Sequence, residues 1–198
     1  MKANPESEWL DLAIKGDDDA FAHLVQTYQT PVYNLCYRML GNAGDAEDAA
    51  QESFWRAWQY LSRYDRQRSF VTWLLSISAH FCIDQLRKRR LELVPLDVLP
   101  EEDAPDPGLS PEAASKLRDE QQQMRSLLNK LGPQDRAAIV MRYWYDFSEV
   151  EIAQSLSLTV SAVKSRLHRA RRELAFAYDE CIETPALAER RRYESPAF

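Results

Sequence analysis

The placement of proline is the feature that most constrains what this chain can fold into. Five of its ten prolines lie between residues 92 and 115, in the stretch ELVPLDVLPEEDAPDPGLSPEAAS. Every X-Pro step disfavours the helical conformation at the residue before the proline. The stretch therefore predicts a linker between two units, each of which has the length of a small helical domain.

Helical periodicity fills the N-terminal unit. One helix is predicted in DDDAFAHLVQTY, and a second is predicted from Pro31 to Leu40, where GNAG ends it. Asp45 is predicted to be the N-cap of a third helix, DAEDAAQESFWRAWQYL. Ser69 could cap a last helix that ends in RKRR. The residues predicted to face inward on that last helix are Phe70, Trp73, Leu74, Ile77 and Phe81.

The C-terminal unit contains the pattern of a helix-turn-helix. Ser148 and Glu151 have the spacing of a capping box at the start of a short helix. Ala153, Ser157 and Val163 then match a small residue at a helix crossing, a tight turn and an apolar anchor. The second helix would enter a major groove of DNA. Its candidate contact residues are Ser161, Lys164, Ser165, Arg166, His168, Arg169 and Arg171. The alternative is a solvated cationic face in an ordinary helical bundle.

We therefore predict an all-α fold with two small helical domains joined by an acidic, proline-rich linker. The predicted boundaries are 1–91 for the first domain, 92–115 for a flexible linker, 116–178 for the second domain and 179–198 for a tail without an assigned role. From composition, the linker could be a solvated tether that only spaces the two domains.

Charge is distributed unevenly along the chain. The net charge is −6, but residues 92–120 hold nine acidic residues against two basic ones. The rest of the chain therefore carries a small positive charge, which is concentrated in RKRR and in the predicted recognition helix. Such asymmetry is typical of proteins that bind nucleic acid.

Several classes of protein are disfavoured. The apolar runs are shorter than a membrane span, and no signal-peptide pattern opens the sequence, so we expect a cytoplasmic protein. The three cysteines lack the spacing of a disulfide framework or of a metal site. No phosphate-binding glycine loop or His-Glu-x-x-His motif occurs, so we expect no enzyme, no cofactor and no metal.

Three segments together resemble the extracytoplasmic-function sigma factors, which are group 4 of the sigma-70 family. These segments are EIAQSLSLTVSAVKSRLHRARREL, DAEDAAQESFWRAW and FVTWLLSISAHFCIDQLRKRR. The resemblance implies that the first domain is sigma region 2 and the second is sigma region 4. It also implies binding to core RNA polymerase and promoter-specific initiation of transcription. The alternative from a different class is a conventional operator-binding regulator with a helix-turn-helix.

The resemblance also implies roles for particular residues. The acidic helix would dock on the largest polymerase subunits through Asp45, Asp48, Gln51, Glu52 and Trp55. The minus-ten element would be bound and melted by Arg63, Tyr64, Asp65, Arg66, Arg68, Phe70, Trp73, His80, Arg87 and Lys88. The recognition helix would read the minus-thirty-five element. The resemblance also implies that the acidic linker could thread a basic channel of the polymerase, as an alternative to a plain tether. The sequence leaves open whether an anti-sigma factor is a further partner.

Departures from the family pattern bear on base preference. His80 stands where asparagine is common, and Ser76 and Ala79 stand where arginines are frequent. Ser157 replaces the usual turn glycine, and Ala162 replaces a common threonine.

Overall fold

The computed structural model describes residues 5–91 and 111–193, which form eight α-helices with one short 3-10 turn at Leu61–Arg63. No strand occurs in these ranges, and the predicted all-α fold class is confirmed. The helices are α1 (Pro5–Ile14), α2 (Asp18–Leu40), α3 (Ala43–Tyr60), α4 (Phe70–Leu91), α5 (Pro111–Lys130), α6 (Pro133–Trp144), α7 (Glu149–Ser155) and α8 (Val160–Tyr193).

Helix α2 runs through Pro31 without interruption, so the prediction of two separate helices was wrong. A proline inside a helix removes one backbone hydrogen bond and costs about 3 kcal/mol. On either side of it, Leu24, Val32, Leu35 and Cys36 are at most 1% exposed. Because burying each of the larger side chains contributes about 1.5–3 kcal/mol, a single continuous apolar stripe outweighs the cost of the proline.

Helix α3 begins one turn earlier than predicted. Its N-cap is Asn42, whose side-chain oxygen accepts a hydrogen bond from the amide of Asp45 at 2.7 Å, so the assignment of Asp45 as the cap was wrong. Gly41 ends α2 in the left-handed region at φ 87°, and its amide donates to the carbonyl of Tyr37 at 2.9 Å. This change of chain direction is followed by Asn42, which has the extended backbone conformation that an N-cap requires.

Helix α4 is buried on more than half of its circumference. Phe70 and Leu74 are buried as predicted, but Trp73, Ile77 and Phe81 are only partly buried. The buried residues Leu75, Ser78, Ala79, Cys82 and Ile83 extend the buried surface over an arc of about 220° at 3.6 residues per turn. An amphipathic surface helix buries a narrower stripe. The wider buried surface arises because α4 contacts helices of both units, α2 and α3 as well as α6 and α7.

The second unit contains α5 to α8. Helix α5 begins at Pro111, so residues 111–115, which the sequence analysis assigned to the linker, are helical. The core of the second unit includes Leu128, Leu131, Val140, Ile152 and Val163, all at most 3% exposed.

The two units pack against each other, which the sequence analysis did not anticipate. The guanidinium of Arg136 is buried and donates to the main-chain carbonyl of Met39 at 2.6 Å. Burial lowers the pKa of Arg136 to about 10. Nearby, the guanidinium of Arg38 lies over the ring of Trp144 at 5.2 Å. The buried apolar residues of both units form one cluster.

Candidate nucleic-acid and polymerase interfaces

Helices α7 and α8 form the predicted helix-turn-helix. Both halves of the capping box between Ser148 and Glu151 are present, and the hydrogen bonds from Ser148 lower the pKa of Glu151. Ser157 forms the turn in the left-handed region at φ 54°. The hydroxyl of Thr159 accepts a hydrogen bond from the amide of Ala162 at 3.1 Å at the start of α8.

The apolar stripe of α8 faces inward and leaves its polar side outward. Val163, Leu167 and Ala170 are at most 4% exposed. The predicted recognition residues lie off this stripe. Those that are exposed are Ser161, Lys164, Ser165, His168, Arg169 and Arg171, whereas Arg166 is partly buried. The spacing of apolar residues along α8 therefore predicted which face of this helix is exposed.

Acidic side chains of neighbouring helices contact this cationic face. The carboxylate of Asp135 in α6 accepts hydrogen bonds from Arg166 at 2.6 Å and from Arg169 at 2.9 Å. Glu149 in α7 lies 3.6 Å from the ammonium of Lys164. The sequence analysis missed both acids. A carboxylate in the first turn of a helix looks like an ordinary dipole partner, so its spacing alone gave no signal.

On α3, the residues predicted to contact polymerase divide into two groups. Asp48, Gln51 and Trp55 are exposed on one face, and Trp55 is 58% exposed although it is a large aromatic residue. Glu52 instead pairs with Arg56 at 2.7 Å on the same helix.

Asp45 is only partly exposed, and its carboxylate contacts α4. Its carboxylate accepts hydrogen bonds from Asn42 and pairs with Arg89. Burial alone would raise the pKa of Asp45, but the hydrogen bonds from Arg89 and Asn42 outweigh burial and lower it. Asp45 therefore joins α3 to the basic end of α4.

The loop between α3 and α4 is organised around Tyr64. The Tyr64 ring packs on Trp73 at 5.1 Å and on Phe70 at 5.6 Å, and its hydroxyl donates to the carbonyl of Arg68. Burial raises the pKa of Tyr64, and the nearby carboxylate of Glu6 raises it further. Phe70 is 1% exposed in the core, so its predicted contact with DNA is wrong for this conformation. Its ring anchors the loop instead.

The charged residues of this loop differ in their partners. Arg66 forms an ion pair with Asp11 of α1, and Arg63 lies over the ring of Tyr60 at 5.8 Å. The carboxylate of Asp65 accepts a hydrogen bond from the amide of Gln67 at 2.9 Å. Two guanidinium nitrogens of Arg68, Nε and Nη2, are buried without a hydrogen-bond partner among the described residues.

Further along α4, His80, Arg87 and Lys88 are exposed. The Nδ1 atom of His80 lies 2.8 Å from the carbonyl of Ser76. Arg87 and Lys88 border a shallow groove in which the guanidinium of Arg56 lies over the ring of Phe81 at 4.8 Å.

Ser76 and Ala79, where the sequence analysis expects arginines to be frequent in the family, are buried at 9% and 0% exposure. Small residues fit this enclosed side of α4, whereas arginine would have to bury a charge there.

No membrane-spanning helix and no cluster of metal-ligating side chains occurs among the residues with a described structure. Cys36 and Cys82 are buried free thiols, and the pKa of Cys82 is raised by a hydrogen bond with Cys36 and by burial.

Comparison with known proteins gives two family matches. Residues 24–92 match the model of Sigma-70 region 2, and residues 121–174 match that of Sigma-70, region 4. The chain is 38% identical over 171 residues to the ECF RNA polymerase sigma factor SigW of Bacillus subtilis, a match that covers 81% of this chain and 89% of SigW. It is 32% identical to the ECF RNA polymerase sigma factor SigE of Mycolicibacterium smegmatis over 76% of this chain and 58% of SigE.

The fold resembles that of CnrH, which was solved in complex with the cytosolic domain of CnrY. The TM-score is 0.66 at 25% sequence identity, and the match covers 89% of this chain and 99% of CnrH.

Proposed function

The chain belongs to the extracytoplasmic-function sigma factors of the sigma-70 family, and we propose that it contacts polymerase through α3 and promoter DNA through two separate surfaces. As a sigma factor it directs promoter-specific transcription by core RNA polymerase. The family consists of transcription initiation factors, so we infer that the chain catalyses no reaction of its own and acts in the cytoplasm, where the polymerase is.

The upstream surface is the outward face of α8, which would bind the minus-thirty-five element. The observation that carries this assignment is the helix-turn-helix geometry, because it presents a cationic helix to solvent with its apolar side anchored. Arginine donors suit both guanine edges and phosphates. The proposed contact residues are Ser161, Lys164, Ser165, Arg166, His168, Arg169 and Arg171.

The polymerase surface is the outer face of α3, centred on Trp55. A tryptophan that is 58% exposed has a large apolar area available to a partner, and Asp48 and Gln51 beside it supply polar contacts. Such an aromatic residue is a typical interaction hot spot, and acidic neighbours would steer docking on a basic partner. We place Glu52 at the edge of this surface because Arg56 already neutralises it, and we place Asp45 outside its centre.

The minus-ten surface is the loop after α3 together with the exposed side of α4. Tyr64 and Trp73 form an aromatic platform with arginines around it, and stacking on aromatic rings is how unpaired bases are commonly held. The proposed contact residues are Arg63, Tyr64, Asp65, Arg66, Arg68, Trp73, His80, Arg87 and Lys88. Phe70 would support this platform from below.

We keep the domain boundaries of the sequence analysis as a proposal, with one change at the end of the linker. We propose that residues 1–91 act as region 2 and that region 4 extends from 111 rather than 116, because α5 begins there. The linker between them lies mostly outside the described residues. Residues 179–193 continue α8, and no role is assigned to them.

A regulatory protein is a further proposed partner. CnrH is bound to the cytosolic domain of CnrY in its solved structure. By analogy, we propose that this chain also has an anti-sigma factor.

Reconstitution with core RNA polymerase tests the proposed function. The purified chain should bind core enzyme stably, and the assembled holoenzyme should give run-off transcripts from fragmented genomic DNA. Core enzyme alone is the control. An operator-binding regulator would instead protect duplex DNA without polymerase, and failure to associate with core enzyme would refute the proposal.

A further inference from the structure

Asp135 is a nearly buried carboxylate that lies against the recognition helix. The residue is 7% exposed and occupies the first turn of α6. Its Oδ1 atom accepts a hydrogen bond from Arg166 Nη1 at 2.6 Å. Its Oδ2 atom accepts hydrogen bonds from Arg169 Nε at 3.1 Å and from Arg169 Nη2 at 2.9 Å. One acid in α6 therefore holds two arginines of α8 through charge-assisted hydrogen bonds.

The contact between Asp135 and the two arginines does not cap the N-terminus of α6. The N-cap of α6 is Gly132, which makes no side-chain capping bond. A carboxylate in the first turn of a helix commonly interacts with the free amides there. Both oxygens of Asp135 are instead directed at α8, so the side chain acts between helices.

The two arginines keep donors for a further partner. A guanidinium has five N–H donors, and Arg169 uses only its Nε and Nη2 side on Asp135. Arg166 contacts Asp135 through Nη1 alone. The Arg169 side chain remains 58% exposed, and the Arg166 side chain 27%. The cluster also keeps a net positive charge, because two cations share one anion.

Lys164 provides the contrast on the same helix. Its ammonium lies 3.6 Å from Glu149, and both side chains are well exposed, at 64% and 38%. An exposed ion pair of this kind does little to fix the orientation of its two side chains. The Asp135 cluster differs because a nearly buried acceptor fixes both guanidinium groups.

We propose that Asp135 is a positioning residue for promoter recognition, which fixes Arg166 and Arg169 in the orientation in which they read base edges. The inference rests on the proposed function of α8. A guanidinium that is already oriented loses less rotational freedom when it binds, and bidentate base contacts depend on that orientation. Without Asp135 the same two charges would contact phosphates of any sequence.

Selection from a pool of duplex DNA with a randomised upstream element tests the inference. The holoenzyme formed with wild-type chain is compared with holoenzymes formed with Asp135→Asn and Glu149→Gln. Asp135→Asn should lower the preference for selected over random duplex about tenfold or more, since bidentate contacts carry that discrimination. The affinity of the Asp135→Asn holoenzyme for random duplex should stay the same or rise. A plot of log affinity against log salt concentration should become steeper by up to about 0.9 for each added phosphate contact.

Glu149→Gln is the matched control because it removes the same charge next to the same helix. It should leave the selected sequence and the discrimination unchanged. If Asp135→Asn behaves like Glu149→Gln, Asp135 contributes only charge and the inference is wrong. If the wild-type holoenzyme selects no sequence at all, the proposed function fails and the inference fails with it.

A double-mutant cycle separates positioning from folding. Arg169→Lys keeps the charge at a well-exposed position but cannot reproduce the bidentate contact with Asp135. If Asp135 acts through Arg169, Asp135→Asn should cost much less discrimination in the Arg169→Lys background than in the wild type. Equal losses in both backgrounds, or a loss of discrimination that only follows the unfolded fraction in a urea titration, would overturn the proposal.

Discussion

The hydroxyl of Tyr145 donates a hydrogen bond to the main-chain carbonyl of Pro31 at 2.6 Å, which joins two residues 114 positions apart in the chain. Pro31 lies inside α2, and Tyr145 follows α6. The bond therefore ties the region 2 unit to the region 4 unit. Burial raises the pKa of Tyr145, as expected for a phenol enclosed between two helical units.

Replacing Tyr145 with phenylalanine should weaken this packing. The change removes the hydroxyl that donates to the carbonyl of Pro31, and a lost intramolecular hydrogen bond costs about 1 kcal/mol. The free energy of unfolding from a urea titration should fall by that amount, and the radius of gyration from X-ray scattering should increase. Tyr143→Phe is the control because Tyr143 is 53% exposed, and it should change neither quantity. Equal effects of the two substitutions would contradict the role of Tyr145.

Ser157→Gly should stabilise the protein. Ser157 adopts φ 54°, which costs an L-amino acid about 1–2 kcal/mol, whereas the added chain freedom of glycine costs roughly 0.5–1 kcal/mol. The expected net gain is about 0.5–1 kcal/mol in the free energy of unfolding. Ser157→Ala is the control, since alanine has the same strain and should not stabilise. A gain with alanine that matches the gain with glycine would show that backbone strain is not the cause.

Asp45 should make part of the stability dependent on acid pH. Its folded-state pKa lies below the ordinary value of 3.8, so its contribution is present above that value and is lost as the pH falls through the folded-state pKa. Asp45→Asn should therefore be less stable than wild type at pH 7, and the difference should shrink below about pH 4. Urea titrations across this range measure it. Asp48→Asn, on the exposed face of the same helix, is the control and should change the free energy of unfolding little.

The features that could be predicted from the sequence are those that depend on neighbouring residues in one helix. The capping box at Ser148 and the outward face of α8 follow from spacing along one helix, and both are present. The continuity of α2 through Pro31 depends on burial supplied by distant helices, and a local proline rule predicted a break there. Asp135 contacts Arg166 across 31 residues. A sequence pattern shows neither the packing of α6 on α8 nor the charge that this packing places beside the recognition helix.

Trp55→Ala should weaken binding to core RNA polymerase without unfolding the chain. A central exposed tryptophan at an interface commonly contributes 2 kcal/mol or more, which corresponds to a loss of affinity of about thirtyfold. Fluorescence anisotropy with labelled chain and core enzyme measures the affinity. Phe176→Ala is the matched control, because Phe176 is 65% exposed on α8 and lies outside the proposed polymerase surface. Comparable losses for the two variants would contradict the assignment of α3 as the main contact.

Tyr64→Ala combined with Arg66→Ala should impair promoter opening more than promoter binding. Tyr64 packs on Trp73 at 5.1 Å, and its removal would take away half of the proposed platform for an unpaired base. Each stacked base contributes about 1–3 kcal/mol, so a loss of transcription of roughly tenfold is expected on duplex templates. On templates that are already melted at the minus-ten element, the loss should be smaller, because the cost of unstacking has been removed. Lys15→Ala, an exposed cation next to α1, is the control and should transcribe both templates normally. Equal losses on the duplex and melted templates would show that the loop contributes to binding alone and has no part in opening.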